Sequence, residues 1–156
     1  MTAPSVPDDP RWIERATVIL DSHRRLLGRD LVERSGDPAD DARRLFALPQ
    51  GVLAHDAAAK PLLDWANRAA AAAFDAAPEE LLGRPSADTA PTDATAGRRQ
   101  LFDTLARLGF VTGYSGTRIS VTGRRFVIDD VTVLALENAA GNPAGHAAVI
   151  GKTRPE

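Results

Sequence analysis

The sequence predicts an α+β domain on one five-stranded antiparallel sheet, with helices on one face and an N-terminal helix on the other. Three observations carry this. Residues 11–32 repeat apolar side chains at steps of three and four, the period of an amphipathic helix. From residue 112 onward the period becomes two, the period of strands. Within 126–136 both parities are apolar, with Phe126, Ile128 and Leu134 expected on one side and Val127, Val131 and Val133 on the other. A strand apolar on both faces is covered on both faces.

The first helix carries the stripe Trp12, Ile13, Ala16, Ile19, Leu20, His23, Leu26, Leu27 and Leu31, with Glu14, Arg15, Asp21, Arg24 and Arg25 between. Ser35-Gly36-Asp37-Pro38 ends it with turn chemistry, and 39–48 is a short second helix. Pro49-Gln50-Gly51 breaks the chain before two short strands, 52–55 and 61–65. Asn67 is an N-cap for a helix over 68–74, and nothing more is expected of it. Pro78 suits the first position of another short helix, and Gly83 its stop. Residues 85–95 form a loop with no core pattern. A helix over 96–108 presents Leu101, Leu105 and Leu108, widened by Phe102 and closed by Gly109. A hairpin turning at Gly123, the strand 126–136, a turn at Gly141-Asn142-Pro143 and a strand at 145–150 complete the sheet.

A chain of 156 residues is one domain, expected over 11–151, with a disordered lead at 1–10 and a tail at 152–156. Within it, 11–50 is an N-terminal helical segment and 51–151 the core. Nineteen basic against 21 acidic residues leave no electrostatic footprint for nucleic acid. No apolar run reaches the roughly 20 residues of a membrane span, and no secretory signal is visible, so the expected location is cytoplasmic. The absence of cysteine removes disulfides, thiol catalysis and cysteinyl chromophore adducts.

Several separated motifs, in order, resemble the MEKHLA domain family. They are Asp21-Ser22-His23-Arg24-Arg25-Leu26 with Gly28, Trp65-Ala66-Asn67-Arg68-Ala69-Ala70, Pro85-Ser86, Tyr114-Ser115-Gly116, Arg118-Ile119-Ser120 and Gly123-Arg124-Arg125-Phe126. The resemblance spans about 11–150. MEKHLA domains are similar to PAS domains and occur as small bacterial proteins and at the C-terminal end of plant class III homeodomain–leucine zipper factors. The resemblance implies a PAS-like sensory or interaction module of the stand-alone bacterial type, and supplies no known ligand. The chain departs from the pattern at Trp65, where Tyr is usual, and at Ala54-His55-Asp56, where a Ser-His-Gly-like turn is expected. No shared role is therefore carried over to His55.

The helix over 96–108 has no His, Cys, Met or Tyr to ligate haem, and the chain has no cysteine, so neither haem nor a covalent flavin or chromophore adduct is expected, while non-covalent flavin or another small apolar ligand stays open. No spacing of His23, His55 and His146 suggests a metal site. Gly113-Tyr114-Ser115-Gly116 lacks the final glycine of a nucleophile elbow. The carboxylates Asp129 and Asp130 interrupt an apolar strand but point to opposite faces, and Arg118 is expected across the hairpin from Asp129. The residues expected to meet a ligand are Trp65 and Tyr114, which combine apolar bodies with polar handles, together with Arg118 and His146, the latter flanked by small residues. Phe74 and Phe102 are expected as ordinary core.

The leading expectation is a sensory module that binds a small molecule in its core pocket and signals through a protein partner or a dimer. The alternatives are an interaction module with a filled core, and a small enzyme using Asp129 or His146 as base. Trp12, placed beyond the sheet edge, suggests a two-fold homodimer with the first helix in the interface.

Overall fold

The computed structural model describes residues 8–91 and 95–156. The expected lead lies almost wholly outside these, and Pro10 already opens the first helix, α1 (Pro10–Leu27). Asp9 caps it by accepting from Arg11 N at 2.9 Å. Gly28, at φ 73°, closes it in the left-handed region that glycine reaches without strain. The helix is therefore shorter than its stripe suggested, and Leu31 and Val32 pack on the core from a loop. α2 (Pro38–Phe46) follows, capped by Asp37. Then come β1 (Gly51–His55), β2 (Leu63–Ala66), α3 (Arg68–Ala73), α4 (Pro78–Leu81) and a 3-10 turn at Ser86–Thr89. α5 (Thr95–Leu108), β3 (Phe110–Ile119), β4 (Arg125–Glu137), β5 (Pro143–Ile150) and β6 (Lys152–Pro155) complete the chain.

The sheet runs β2-β1-β5-β4-β3, antiparallel throughout. The expected tail instead adds β6 along the first half of β4, with Asp129 opposite Lys152 and Phe126 opposite Pro155. β5 and β6 thus follow one another along the same edge, broken at Gly151. A Cβ at Gly151 would stand 2.5 Å from the Asp130 carbonyl oxygen.

That break faces a bulge in β4. Tyr114 pairs with Val131 but Gly116 pairs with Ile128, so β4 holds one residue more than β3, and Asp130 sits at φ 52°. The extra residue resets the alternation. Phe126, Ile128, Val131 and Val133 all face α3–α5, whereas Leu134 faces α1. This corrects the expected partition, which put Val131 and Val133 opposite Phe126. The expected place of Asp129 fails for a separate reason, the register of the hairpin, whose turn takes up residues 120–124 ahead of the bulge. Arg118 stands opposite Phe126, not Asp129; Asp129 lies on the other face, where it accepts from Ser115 Oγ and pairs with Arg154. Aspartate tolerates the left-handed region better than a β-branched residue does. Asp130→Val is expected to cost about 1–2 kcal/mol in urea denaturation, and Asp130→Gly to stay within about 0.5 kcal/mol of the parent.

On β1, Val52 and Ala54 face α1 while Leu53 and His55 face the helices of the other layer. The α1 side is filled by Ile19, Leu20, Trp12 and Trp65, all buried. Trp12 does not project beyond the sheet: its ring lies 5.1 Å from that of Trp65 and 6.2 Å from that of Phe46. Trp65 Nε1 donates to the Trp12 carbonyl at 3.1 Å. Ser22 fastens α1 to the end of β4 by accepting from Glu137 N at 3.1 Å. On the opposite face α5 buries Leu101 and Leu105, but Leu108 remains 59% exposed.

Candidate functional site

Three neighbouring strands place one row of residues beneath α5: His55 on β1, His146 on β5 and Ala135 on β4. Ala135 is small, so the sheet recedes there, and Gly145 also borders the cleft. α5 supplies the roof. Arg98, Leu101, Phe102 and Leu105 recur at i, i+3, i+4 and i+7 and share one helix face.

The rings of His55 and His146 lie 5.0 Å apart, and Phe102 packs on both, at 6.1 and 5.2 Å. The Arg98 guanidinium lies over Phe102, 5.2 Å from the ring centre, and donates to Ser86 Oγ at 3.2 Å.

Two spaces meet at this cluster. The inner one, about 60 Å³, is lined by Ser86, Thr89, Arg98, Arg118, Val133 and His146 among others. The outer one is an open cleft of about 730 Å³. Its walls come from the β1–β2 turn (Ala57, Ala58, Pro61), from Pro85 and Ala87, and from Leu136 and Pro143. His55, Arg98, Phe102 and His146 border both.

The polar groups here are unusual in what they lack. His55 Nδ1 donates to the Asp56 carbonyl at 2.9 Å, which leaves Nε2 as an acceptor. His146 Nδ1 is buried without a hydrogen-bond partner among the described residues. Burial, then the nearby charges of His55 and Arg98, lower the His146 pKa to about 4. Burial also lowers that of His55. For Arg98, burial and then the charge of Arg118 disfavour the guanidinium cation. Arg118 is buried and donates to Tyr114 Oη at 3.2 Å and to the Thr117 carbonyl at 2.8 Å. Among the described residues, neither arginine has a carboxylate within ion-pairing distance.

The histidine shift has a consequence for stability. The folded His146 binds its proton less tightly than the unfolded one, so the unfolded state takes up protons first as pH falls. Stability is fully present above the unfolded value near 6.5 and is lost as pH drops through about 4. His146→Gln removes this titration. Relative to the parent, its urea midpoint is expected to improve steadily from pH 7 to pH 4.5; a constant difference across that range would refute the shift.

Of the residues expected to meet a ligand, Arg118 and His146 come together in the inner space. Tyr114 stands behind Arg118, its ring 5.6 Å from the guanidinium carbon, and lines neither space. Trp65 lies across the sheet from this cluster: it pairs with Ala54, and that row packs against α1. The residues missed were Arg98, His55 and Phe102. Arg98 carried a legible sign, since it sits one turn before Phe102 on the apolar stripe of α5. His55 was set aside because of its flanking sequence, but the β1–β5 register puts it opposite His146. Asp129 takes no part; its bonds to Ser115 and Arg154 hold its carboxyl below the usual range, on the far side of the sheet.

A comparison with curated proteins found no match. Among solved structures, the chain is similar to the PAS domain of a protein from Colwellia psychrerythraea, with 12% identity and a TM-score of 0.61 over 75% of this chain and 94% of that one. It is similar to an RNA-binding light-oxygen-voltage receptor, with 19% identity and a TM-score of 0.61 over 76% of this chain but only 34% of that one. A third is the PAS domain, in complex with ethanol, of a LuxR-family transcriptional regulator from Burkholderia thailandensis, at 21% identity and a TM-score of 0.51 over 66% of this chain and 88% of that one. At such identities the likeness shows the fold alone, and the fold is PAS-like. The model of the MEKHLA domain matches residues 13–154, nearly the whole chain, and the chain belongs to the MEKHLA domain family.

Proposed function

We propose that this PAS-like sensory module binds a small molecule in the cleft between α5 and the β1–β5–β4 strands and passes its occupancy to a partner protein or a second copy. The observation that carries the reading is the junction of His55, Arg98, Phe102 and His146, where an open apolar cleft reaches buried polar groups, one of them unpartnered. Apolar walls with a few convergent polar groups are the usual make-up of a ligand pocket.

A route to the surface supports the signalling half. Arg15 on α1 donates from Nη2 to the His55 carbonyl at 2.9 Å and pairs with Asp64 on β2 at 3.1 Å. A ligand that shifts β1 at His55 therefore acts directly on α1. Among the described residues no helix is long and apolar enough to cross a membrane.

The small inner space favours a second reading, an interaction module whose core is already filled. Native mass spectrometry and a thermal-shift panel of metabolites and flavins distinguish the two. A retained adduct, or a compound that raises the melting temperature and loses its effect in Phe102→Trp, is the expected result. A clean apo mass with no stabilisation by any compound supports the filled core. Light scattering with and without the stabilising compound reads whether a second copy takes part.

A further inference from the structure

We propose that the cleft selects a small organic anion, a carboxylate on a flat apolar body, with the carboxylate held by Arg98 in the inner space and the body lying in the outer cleft. The inference rests on the ligand-binding reading above and adds the class of ligand.

The two spaces differ in chemistry as well as size. The outer cleft is walled mostly by apolar side chains, among them Ala57, Pro61, Pro85, Leu136 and Pro143, with Asp56 and Lys60 the charged residues of its β1–β2 turn. The inner space, at about 60 Å³, has room for one small polar group. Around it stand the Arg98 and Arg118 guanidiniums and the Ser86 and Thr89 hydroxyls.

Two like charges lining one half-buried space, with no carboxylate paired to either among the described residues, repel each other and leave N–H donors unused. An oxyanion relieves the repulsion and accepts from the Arg98 fork. Thr89 Oγ1 already donates to the Ser86 carbonyl and Arg98 Nη2 to Ser86 Oγ, so Ser86 is held in place, with its hydroxyl hydrogen free to donate. The Phe102 ring, which borders both spaces, gives a flat body an apolar wall to pack against. His146 Nδ1 supplies one more polar contact at the junction.

The test titrates the full chain with matched pairs, each an aryl or alkyl carboxylic acid and its primary amide, with phenylphosphonate as a second anion. Binding is read by calorimetry and by the imidazole NMR signals of His55 and His146. Acids are expected to bind at least about tenfold tighter than their amides, the scale of a charge-assisted hydrogen bond. Arg98→Gln should abolish that preference while keeping amide binding, and Arg98→Lys should restore part of it. Equal binding of acids and amides, or an acid preference that survives in Arg98→Gln, overturns the anion assignment and leaves the ligand site standing. Tighter binding of phenylphosphonate than of benzoate overturns the choice of carboxylate. If neither acids nor amides bind or move the imidazole signals, the ligand reading falls together with it.

Discussion

Replacing Asn67 by alanine is expected to cost about 3–5 kcal/mol and to lower the melting temperature by roughly 10–15 °C. Asn67 is fully buried. Its Oδ1 accepts from Val52 N at 2.8 Å and from Ala70 N at 2.9 Å. Its Nδ2 donates to the carbonyls of Leu45, Leu48 and Gln50 at 3.1, 3.3 and 2.8 Å. One side chain thus satisfies the start of α3, the start of β1 and the turn that joins α2 to the sheet. Alanine strands the buried Val52 N–H, Ala70 N–H and Leu45 carbonyl, and each stranded buried group costs about 1–3 kcal/mol. A helix cap alone is worth about 1 kcal/mol. The two possibilities therefore separate cleanly in a thermal melt. Aspartate keeps the acceptor but loses both donors and buries a charge, so Asn67→Asp is expected to be no better than alanine. A loss near 1 kcal/mol for Asn67→Ala would mean that the cap is all that matters.

Asn67 also marks where reading the sequence stops. Its cap is legible because it follows from a local pattern: a short polar side chain before an alanine helix. Its grip on Leu45, Leu48 and Gln50 depends on three segments meeting, and no local pattern encodes that. The helices and strands were legible for the same local reason, through spacing, caps and glycine stops. The bulge at Asp130 was not, because one inserted residue leaves the composition of β4 unchanged while it flips every side chain beyond it. Half of the site was lost to that kind of register effect. Trp65 looked like a ligand contact until its pairing with Ala54 turned it toward Trp12. His55 gained its place only from standing opposite His146. Arg98 is the exception, since an arginine on the core stripe of a helix is visible in the sequence and signals a buried polar site.

Gly145→Ala is expected to damage fold and site together, by about 3–5 kcal/mol. Gly145 sits at φ 98°, and a Cβ there would stand 1.9 Å from the His55 carbonyl oxygen and 2.8 Å from the Asp56 carbonyl carbon. Both are backbone atoms of β1 and its turn, so no side chain can swing aside. β5 must move away from β1, and the His55–His146 pair opens. The His55 carbonyl also holds Arg15 Nη2, so the same shift loosens α1. Gly141→Ala is the control. Gly141 is at φ 83°, but its nearest neighbour is the flexible Glu137 carboxylate at 3.5 Å, so only the left-handed backbone is penalised, by about 1–2 kcal/mol. Urea denaturation followed by tryptophan fluorescence reads both variants. Gly145→Ala should also bring the His146 pKa up from about 4 toward its ordinary value, as the separated strands admit water. Gly141→Ala should leave it in place. Equal losses in the two variants, with no change at His146, would show that β1 and β5 have room to spare and that the cluster does not depend on their close approach.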